Sequence, residues 1–239
     1  MISIIIPTLN EGTAIEKTLR SLQLLALPHE IIVSDQSSTD ETLRKVQAFS
    51  NVTIVTLPAE AAHNSAGNRN NGAKYATGEL LIFIDCDSVI PDINNFFAQA
   101  LKDFENKKII ALAGWVMTEK ELETCADYFI LAAFNYLFLL MNNVLGIGAA
   151  VGKFQMIQRE AFLKLKGYNE NLVANEDHDL FRRLSKLGKT YMDTNLLVYH
   201  SNRRAHSIGW PALLWIWTKD TFSVMFSGTA VSTEWMPIR

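Results

Sequence analysis

Leu80-Leu81-Ile82-Phe83-Ile84-Asp85-Cys86-Asp87 is an unbroken apolar run that ends in two carboxylates one residue apart. A run this short and continuous reads as a strand buried on both faces of a parallel sheet. Such strands hand the polar residues that follow them to the carboxyl edge of the sheet, where open α/β folds bind ligands. Two acids held so close repel each other unless a cation joins them, and hard oxygen donors suit Mg2+ or Mn2+. The first expectation is therefore a metal that holds phosphate oxygens at the end of this strand.

Outward from that run, the first hundred residues alternate strands with helices. Ile2 to Ile6 is a strand, and Ile15, Leu19, Leu22 and Leu25 mark one face of a helix, with Thr13 and Glu16 spaced as a capping box. Ile31-Ile32-Val33 gives a second strand, Ser38 or Thr39 can cap a helix running to Phe49, and Val52 to Val55 gives a third. Ser65 to Ala76 is small and polar enough to be a helix lying close to the sheet, and Ile93, Phe96, Phe97, Ala100, Leu101 and Phe104 make a helical stripe. Alternation of this kind signals a parallel sheet, and right-handed crossovers place its strand ends on one edge.

Beyond Ile109 the pattern changes. A strand from Ile109 to Met117 precedes a long apolar helix starting near Glu121, and a short strand follows around Phe154 to Ile157. A helix from Asp177 to Leu187 puts Leu180, Leu184 and Leu187 on one face and stops at Gly188, a natural C-cap, and Leu196 to Tyr199 is a further strand. The expected organisation is one domain over 1–206, with a nucleotide-binding half over 1–108 and an acceptor half over 109–206 that share a core. The stretch 128–151 has no charged residue, which raises a membrane span. Asn135, Asn142 and Asn143 would be costly in hydrocarbon, and Gly146 and Gly148 end the helix early, so a buried or surface-docked helix is the expectation. The tail over 207–239 is apolar and rich in large side chains, among them Trp210, Trp215, Trp217, Phe222, Phe226 and Trp235. It is expected to be helical and to rest on a membrane interface, on its own domain or on a partner subunit.

Composition narrows the classes. With 239 residues, 49% hydrophobic and 20% charged, the chain can bury a sizeable core. A net charge of −3 offers no broad basic surface, so nucleic acid is not an expected partner and any anion must be captured locally. Cys86 and Cys125 are the two cysteines, and Cys86 lies between the acids, which argues for a reducing compartment over a disulfide framework. Met1 to Pro7 lacks a basic leader and a cleavage site and reads as the first strand. The expected location is the cytoplasm, with contact at the inner face of the cell membrane left open.

Four further constellations join Asp85-Cys86-Asp87. Pro7-Thr8-Leu9-Asn10-Glu11-Gly12 follows the first strand, where backbone N–H groups and a helix N-terminus can meet a nucleotide. After the second strand, Asp35 can accept from a ribose hydroxyl or a base, while Ser38, Thr39 and Asp40 serve the next helix. Arg69 lies beside the sheet edge and can pair bidentately with phosphate. Glu176-Asp177-His178-Asp179 opens a helix with more acids than capping needs, and one of them suits a general base. His200 follows a strand as a candidate metal ligand, and Arg203 and Arg204 beside it suit a diphosphate.

In this order the pieces resemble glycosyltransferase family 2, whose members have the GT-A fold. The matching text is Ile6-Pro7-Thr8-Leu9-Asn10-Glu11, Asp35 with Ser38-Thr39-Asp40, Arg69-Asn70 with Gly72, Asp85 with Asp87, and Glu176-Asp177 with Asp179-Leu180 and Arg183-Leu184. The resemblance runs from residue 2 to about 206. It implies a mixed α/β, Rossmann-like, mostly parallel sheet flanked by helices, and an inverting, non-processive, metal-dependent transferase of cell-envelope glycan synthesis. The implied donor is a nucleoside-diphosphate sugar, UDP-linked by preference and GDP-linked otherwise, and the implied acceptor is a glycan or lipid-linked hydroxyl. By matching positions, Pro7, Thr8, Glu11, Asp35, Arg69, Asp85, Cys86, Glu176, Arg203 and Arg204 would contact substrate and nucleotide. Asp87 and His200 would hold Mn2+ or Mg2+, and Asp177 would be the catalytic base. Gln36 stands where many relatives have a second acid, and Ser201-Asn202-Arg203-Arg204 replaces the Gln-x-x-Arg-Trp pattern of processive synthases.

Two rivals remain. Asp85-Cys86-Asp87-Ser88-Val89 also resembles the nucleophile strand of haloacid-dehalogenase-like phosphatases, but three β-α units precede it here. A membrane-docked, non-catalytic scaffold would use the apolar helix and tail, and the acids at both Asp87 and Asp177 speak against it.

Overall fold

The structure, a computed structural model, describes residues 1–57 and 64–227. Alternate residues of the inner strands go to opposite faces of the sheet. Ile4, Ile6, Ile82 and Ile84 join a core with Ile15, Leu19, Phe96 and Phe97, while Ile5, Leu81 and Phe83 join a second core with Phe162, Leu180 and Leu184. That two-sided burial is why the strands read as continuous apolar runs. The first core also contains Leu112, Phe154, Leu196 and Val198 from the second half of the chain.

The elements in order are β1 (Ile2–Thr8), α1 (Ile15–Leu22), β2 (His29–Asp35), α2 (Thr42–Val46), β3 (Val52–Thr56), α3 (Ser65–Lys74), β4 (Leu80–Ile84) and α4 (Ile93–Phe104). They continue with β5 (Ile109–Thr118), α5 (Cys125–Leu139), β6 (Phe154–Gln158), α6 (Arg159–Lys164), α7 (Glu176–Leu184), β7 (Lys189–His200), α8 (Arg203–Ile208) and α9 (Trp210–Ser227). The seven strands form one sheet in the order β3-β2-β1-β4-β6-β5-β7. β1 is parallel to β2 and β4, and β5 to β7, while β6 runs antiparallel between β4 and β5. The carboxyl ends of β1, β2, β4 and β7 carry Thr8, Asp35, Asp85 and His200. α3 does lie close to the sheet: a Cβ at Gly72 would come 2.5 Å from Ile5 Cγ2, so no larger residue fits at that crossing.

Several boundaries differ from the sequence reading. Thr13 and Glu16 form no capping box, because α1 starts at Ile15 without a side-chain cap and Glu16 accepts instead from Arg20 one turn on. Ser38 and Thr39 do not cap α2, which starts at Thr42. Asp40 accepts from the Thr42 N–H, and Asn10 bonds to Ser38 and Thr39, so these residues knit the loop after β1 to the loop after β2. The apolar helix begins at Cys125 and not near Glu121, because Thr124 and Asp127 supply a true capping box there. α7 ends at Leu184, and Gly188 is no left-handed C-cap: a Cβ there would meet Ile110 at 2.9 Å, so close packing against β5 explains it. β7 covers 12 residues where the sequence marked four.

α5 continues through a π-helical segment, Leu140–Leu145, to Gly146 in the left-handed region (φ 65°). The Asn135 side chain pairs with both backbone groups of Val116 on β5, Asn143 does the same with Met192 on β7, and Asn142 bonds to Phe138 and Ala149. Asn135 and Asn143 thus fasten the helix to the sheet, and Asn142 ties its end to the loop before β6, which satisfies the amides whose burial would otherwise be costly. The opposite face is bare. Phe129, Tyr136, Leu137, Leu140, Val144 and Leu145 are exposed, with Phe129 and Val144 at 70%. Cys125–Leu145 is long and apolar enough to cross a membrane by length and composition alone. The tail beyond residue 227, including Trp235, lies outside the described residues, as do the side chains of Phe222 and Phe226.

Candidate active site

The site grows from the ends of four strands. At the first two, Thr8 Oγ1 donates to Asp35 Oδ1 at 2.9 Å, and the backbone N–H of Ser38 donates to Asp35 Oδ2 at 2.7 Å. Asp35 is fully buried, so in this arrangement its carboxylate fixes the shape of the loops. Pro7 is half-buried in register with Ser34, and Asn68 on α3 donates to the carbonyl of Thr8 at 3.1 Å. Glu11 accepts from Arg203 Nη2 at 2.6 Å, which ties the loop after β1 to the start of α8; its other oxygen is buried without a partner.

At the end of β4 the two aspartates diverge from Cys86. Cys86 turns inward, buried in the core, and its carbonyl accepts from Thr18, so its thiol, pushed up by burial, is not among the groups gathered at the sheet edge. Asp85 Oδ1 accepts from Arg69 at 2.8 Å. Asp87 Oδ2 accepts from Ser201 at 3.2 Å and lies 3.9 Å from Arg203 Nε. Between the two carboxylates sits Lys153, which the sequence reading did not single out: its Nζ is 2.8 Å from Asp87 Oδ1 and 3.2 Å from Asp85 Oδ2. Burial works to raise the Asp87 carboxyl, but the charge and hydrogen bond of Lys153, with help from Arg203, hold it well below the usual carboxylate range.

His200 is buried, its Nδ1 accepts from the N–H of Asn202, and its Nε2 has no partner. Burial, reinforced by the neighbouring charge of Lys153, lowers it to about 3, so the ring is neutral at physiological pH. Arg204 is half-buried next to Arg203, and burial followed by that like charge lowers it to about 10.

Arg69 connects these acids to those on α7. Its guanidinium is 3% exposed and spans Asp85 Oδ1 and Glu176 Oε1, the latter at 2.7 Å. A Cβ on Gly152 would come 2.4 Å from Arg69 Nη2, which explains a glycine at that close approach. The three acids of α7 then separate by role. Glu176 pairs with Arg69 and Asp179 with Arg183, whereas Asp177 accepts from the backbone N–H of His178 and makes no ion pair among the described residues. Burial raises Asp177, and burial together with the Asp177 charge pushes Glu176 up to about 7. A carboxylate raised toward neutrality is a competent proton acceptor. The rings of His178 and Phe138 lie 6.1 Å apart, which puts the apolar helix alongside the start of α7.

A second hub escaped the sequence reading altogether. Asp127 is fully buried at the start of α5 and accepts from Thr124, Asn202, His206 and Trp210, which locks α5, α8, α9 and the turn after His200 to one carboxylate. Burial would raise it, but those hydrogen bonds prevail and hold it at about 2.

The residues fit a divalent cation by chemistry: two hard carboxylates at one strand end and a buried imidazole nitrogen without a partner nearby. Among the described residues no three His, Cys, Asp or Glu side chains converge closely enough to hold an ion alone. Water or a bound ligand would have to complete its shell, as Mg2+-type ions ordinarily require.

The chain is similar to known proteins in sequence and in fold. The family model described as Glycosyl transferase family 2 matches residues 3–165. The O-antigen chain rhamnosyltransferase WbaN of Salmonella anatum is 26% identical over 197 residues, covering 78% of this chain and 61% of its own length. The GalNAc(5)-diNAcBac-PP-undecaprenol beta-1,3-glucosyltransferase of Campylobacter jejuni is 26% identical over 192 residues, 73% of this chain and 57% of its own. The chain thus spans about three-fifths of the length of these relatives. Among solved structures, the mannosyltransferase PcManGT from Pyrobaculum calidifontis, in complex with GDP-Man and Mn2+, superposes with a TM-score of 0.67 at 19% identity over 89% of this chain and 59% of that one, which supports the GT-A fold.

Proposed function

Because the chain belongs to glycosyl transferase family 2, we propose that it transfers a sugar from a nucleoside diphosphate to the hydroxyl of a glycan or lipid-linked acceptor, with inversion at the anomeric carbon. One observation carries the reading. Arg69 is bonded at once to Asp85, at the strand end suited to a diphosphate, and to Glu176, the neighbour of the base Asp177, so donor groups and base adjoin. A family match over residues 3–165, together with later acids that open a helix, disfavours the phosphatase reading.

In this mechanism the loops after β1 and β2 bind the nucleoside, with Thr8, Glu11 and Asp35 shaping the pocket. Arg203, held 2.6 Å from Glu11, and Lys153 offset the charge of the departing diphosphate. A divalent cation bound by Asp87 and His200 would add further charge neutralisation at the same oxygens. Asp177 takes the acceptor's proton as the hydroxyl oxygen bonds to the anomeric carbon. The bond from that carbon to the diphosphate breaks, its electron pair leaves with the nucleotide, and attack from the opposite face inverts the centre.

The Campylobacter relative is named for an undecaprenol-linked acceptor. α5 meets His178, beside Asp177, through the half-buried Phe138, and the exposed apolar face of the same helix is a surface suited to a lipid carrier and to the membrane that holds it. Asp177→Asn tests the base. Turnover should fall by about a hundredfold or more, the usual contribution of a general base, while nucleotide affinity measured by calorimetry stays near wild type. Unchanged turnover, or loss of nucleotide binding, would refute the assignment.

A further inference from the structure

Lys153 occupies the place where a cation would join the two aspartates. Each carboxylate gives it one oxygen, at 2.8 Å from Asp87 and 3.2 Å from Asp85, and each commits its other oxygen elsewhere, Asp85 to Arg69 and Asp87 to Ser201. The ammonium is the hub of this seat, and a second cation could not enter the same oxygens beside it without strong repulsion. The backbone around Lys153 is well anchored: its carbonyl accepts from Ser88 at 3.0 Å, and Gly152 is pressed against Arg69. The side chain is a flexible stem with a freely rotating head, so it is the part able to leave. At the edge of the seat, His200 offers a buried Nε2 without a partner.

We infer that Lys153 is a resident counter-cation for the Asp85–Asp87 pair, and that a divalent metal enters only by displacing it. The displaced ammonium then finds its new partner in the arriving diphosphate, so metal and nucleotide bind together and the metal alone binds poorly. This inference rests on the donor-site reading above. If the ammonium is out of its seat about a tenth of the time, metal affinity without nucleotide is reduced about tenfold.

The test needs no turnover. Free Mn2+ is measured by electron paramagnetic resonance with the full chain, in wild type, Lys153→Met and Lys153→Arg, with and without the nucleoside diphosphate the chain binds best. Lys153→Met should bind Mn2+ about tenfold more tightly than wild type without nucleotide, Lys153→Arg should remain weak, and nucleotide should tighten Mn2+ about tenfold in wild type but little in Lys153→Met. Equal Mn2+ affinity in wild type and Lys153→Met would overturn the inference. If Lys153→Met fails to fold, wild type alone decides it, because Mn2+ binding as tight without nucleotide as with it excludes displacement. Failure of any nucleoside diphosphate to bind, with or without Mn2+, would instead overturn the donor-site reading beneath it.

Discussion

Replacing Arg69 with methionine should destabilise the fold in a way that grows with pH. Removing one partner from a buried ion pair costs about 3–5 kcal/mol, because the other charge is left unmatched. Here the remaining carboxylates differ. Asp85 is 25% exposed and keeps Lys153 as a partner, whereas Glu176 is 10% exposed and has no other cation among the described residues. Most of the penalty therefore falls on Glu176, whose carboxyl already stands at about 7 against 4.5 in an ordinary setting. Without Arg69 it rises further, so the folded chain holds a proton that the unfolded chain releases above about 4.5, and stability falls as pH rises through that interval. The lower end of the range, about 3 kcal/mol, is expected at pH 8, which is about 6–12 °C in Tm for a chain of this length. The loss should be smaller at pH 6, where Glu176 escapes its charge by binding a proton. Thermal melts followed by circular dichroism at the two pH values measure both. In the Arg69→Met background, Glu176→Gln should recover part of the loss at pH 8. A shift below about 2 °C at pH 8, or a larger loss at pH 6 than at pH 8, would refute the argument.

Asp103 on α4 gives a second pH effect: burial, then the charge of Asp193, pushes it up to about 7 from 3.8, so wild type loses stability as pH rises across that span. Asp103→Asn removes this dependence and should melt higher than wild type at pH 8, with the advantage vanishing near pH 4; equal melting at pH 8 would contradict it. Phe129→Glu with Val144→Glu, at two positions of the bare α5 face, should reduce sedimentation with phosphatidylethanolamine–phosphatidylglycerol vesicles without lowering Tm. Unchanged sedimentation would exclude this face as a lipid contact.

The fold was legible wherever burial is two-sided. Ile2 to Ile6 and Leu80 to Ile84 advertise central strands because both faces are covered, and the residues at their ends follow from that placement. The acids of α7 were equally visible as an excess over capping needs. What local sequence could not show was partnership across long separations. Lys153 stands alone in an uncharged stretch, and only the antiparallel insertion of β6 beside β4 brings it to Asp87, 66 residues away. Asp127 looks like an ordinary capping acid until Asn202, His206 and Trp210 converge on it. The asparagines of α5 suggested a helix unsuited to hydrocarbon, yet their fastening to β5 and β7 depends on strand edges no periodicity reveals.

Nucleotide binding is the claim on which the rest stands, and a thermal-shift panel of UDP, GDP, dTDP and CDP, each with and without Mn2+, tests it most directly, because a ligand that favours the folded state must raise its melting temperature. One nucleoside diphosphate should raise Tm, more strongly with Mn2+ than without it. A flat response to all four under both conditions would contradict the account.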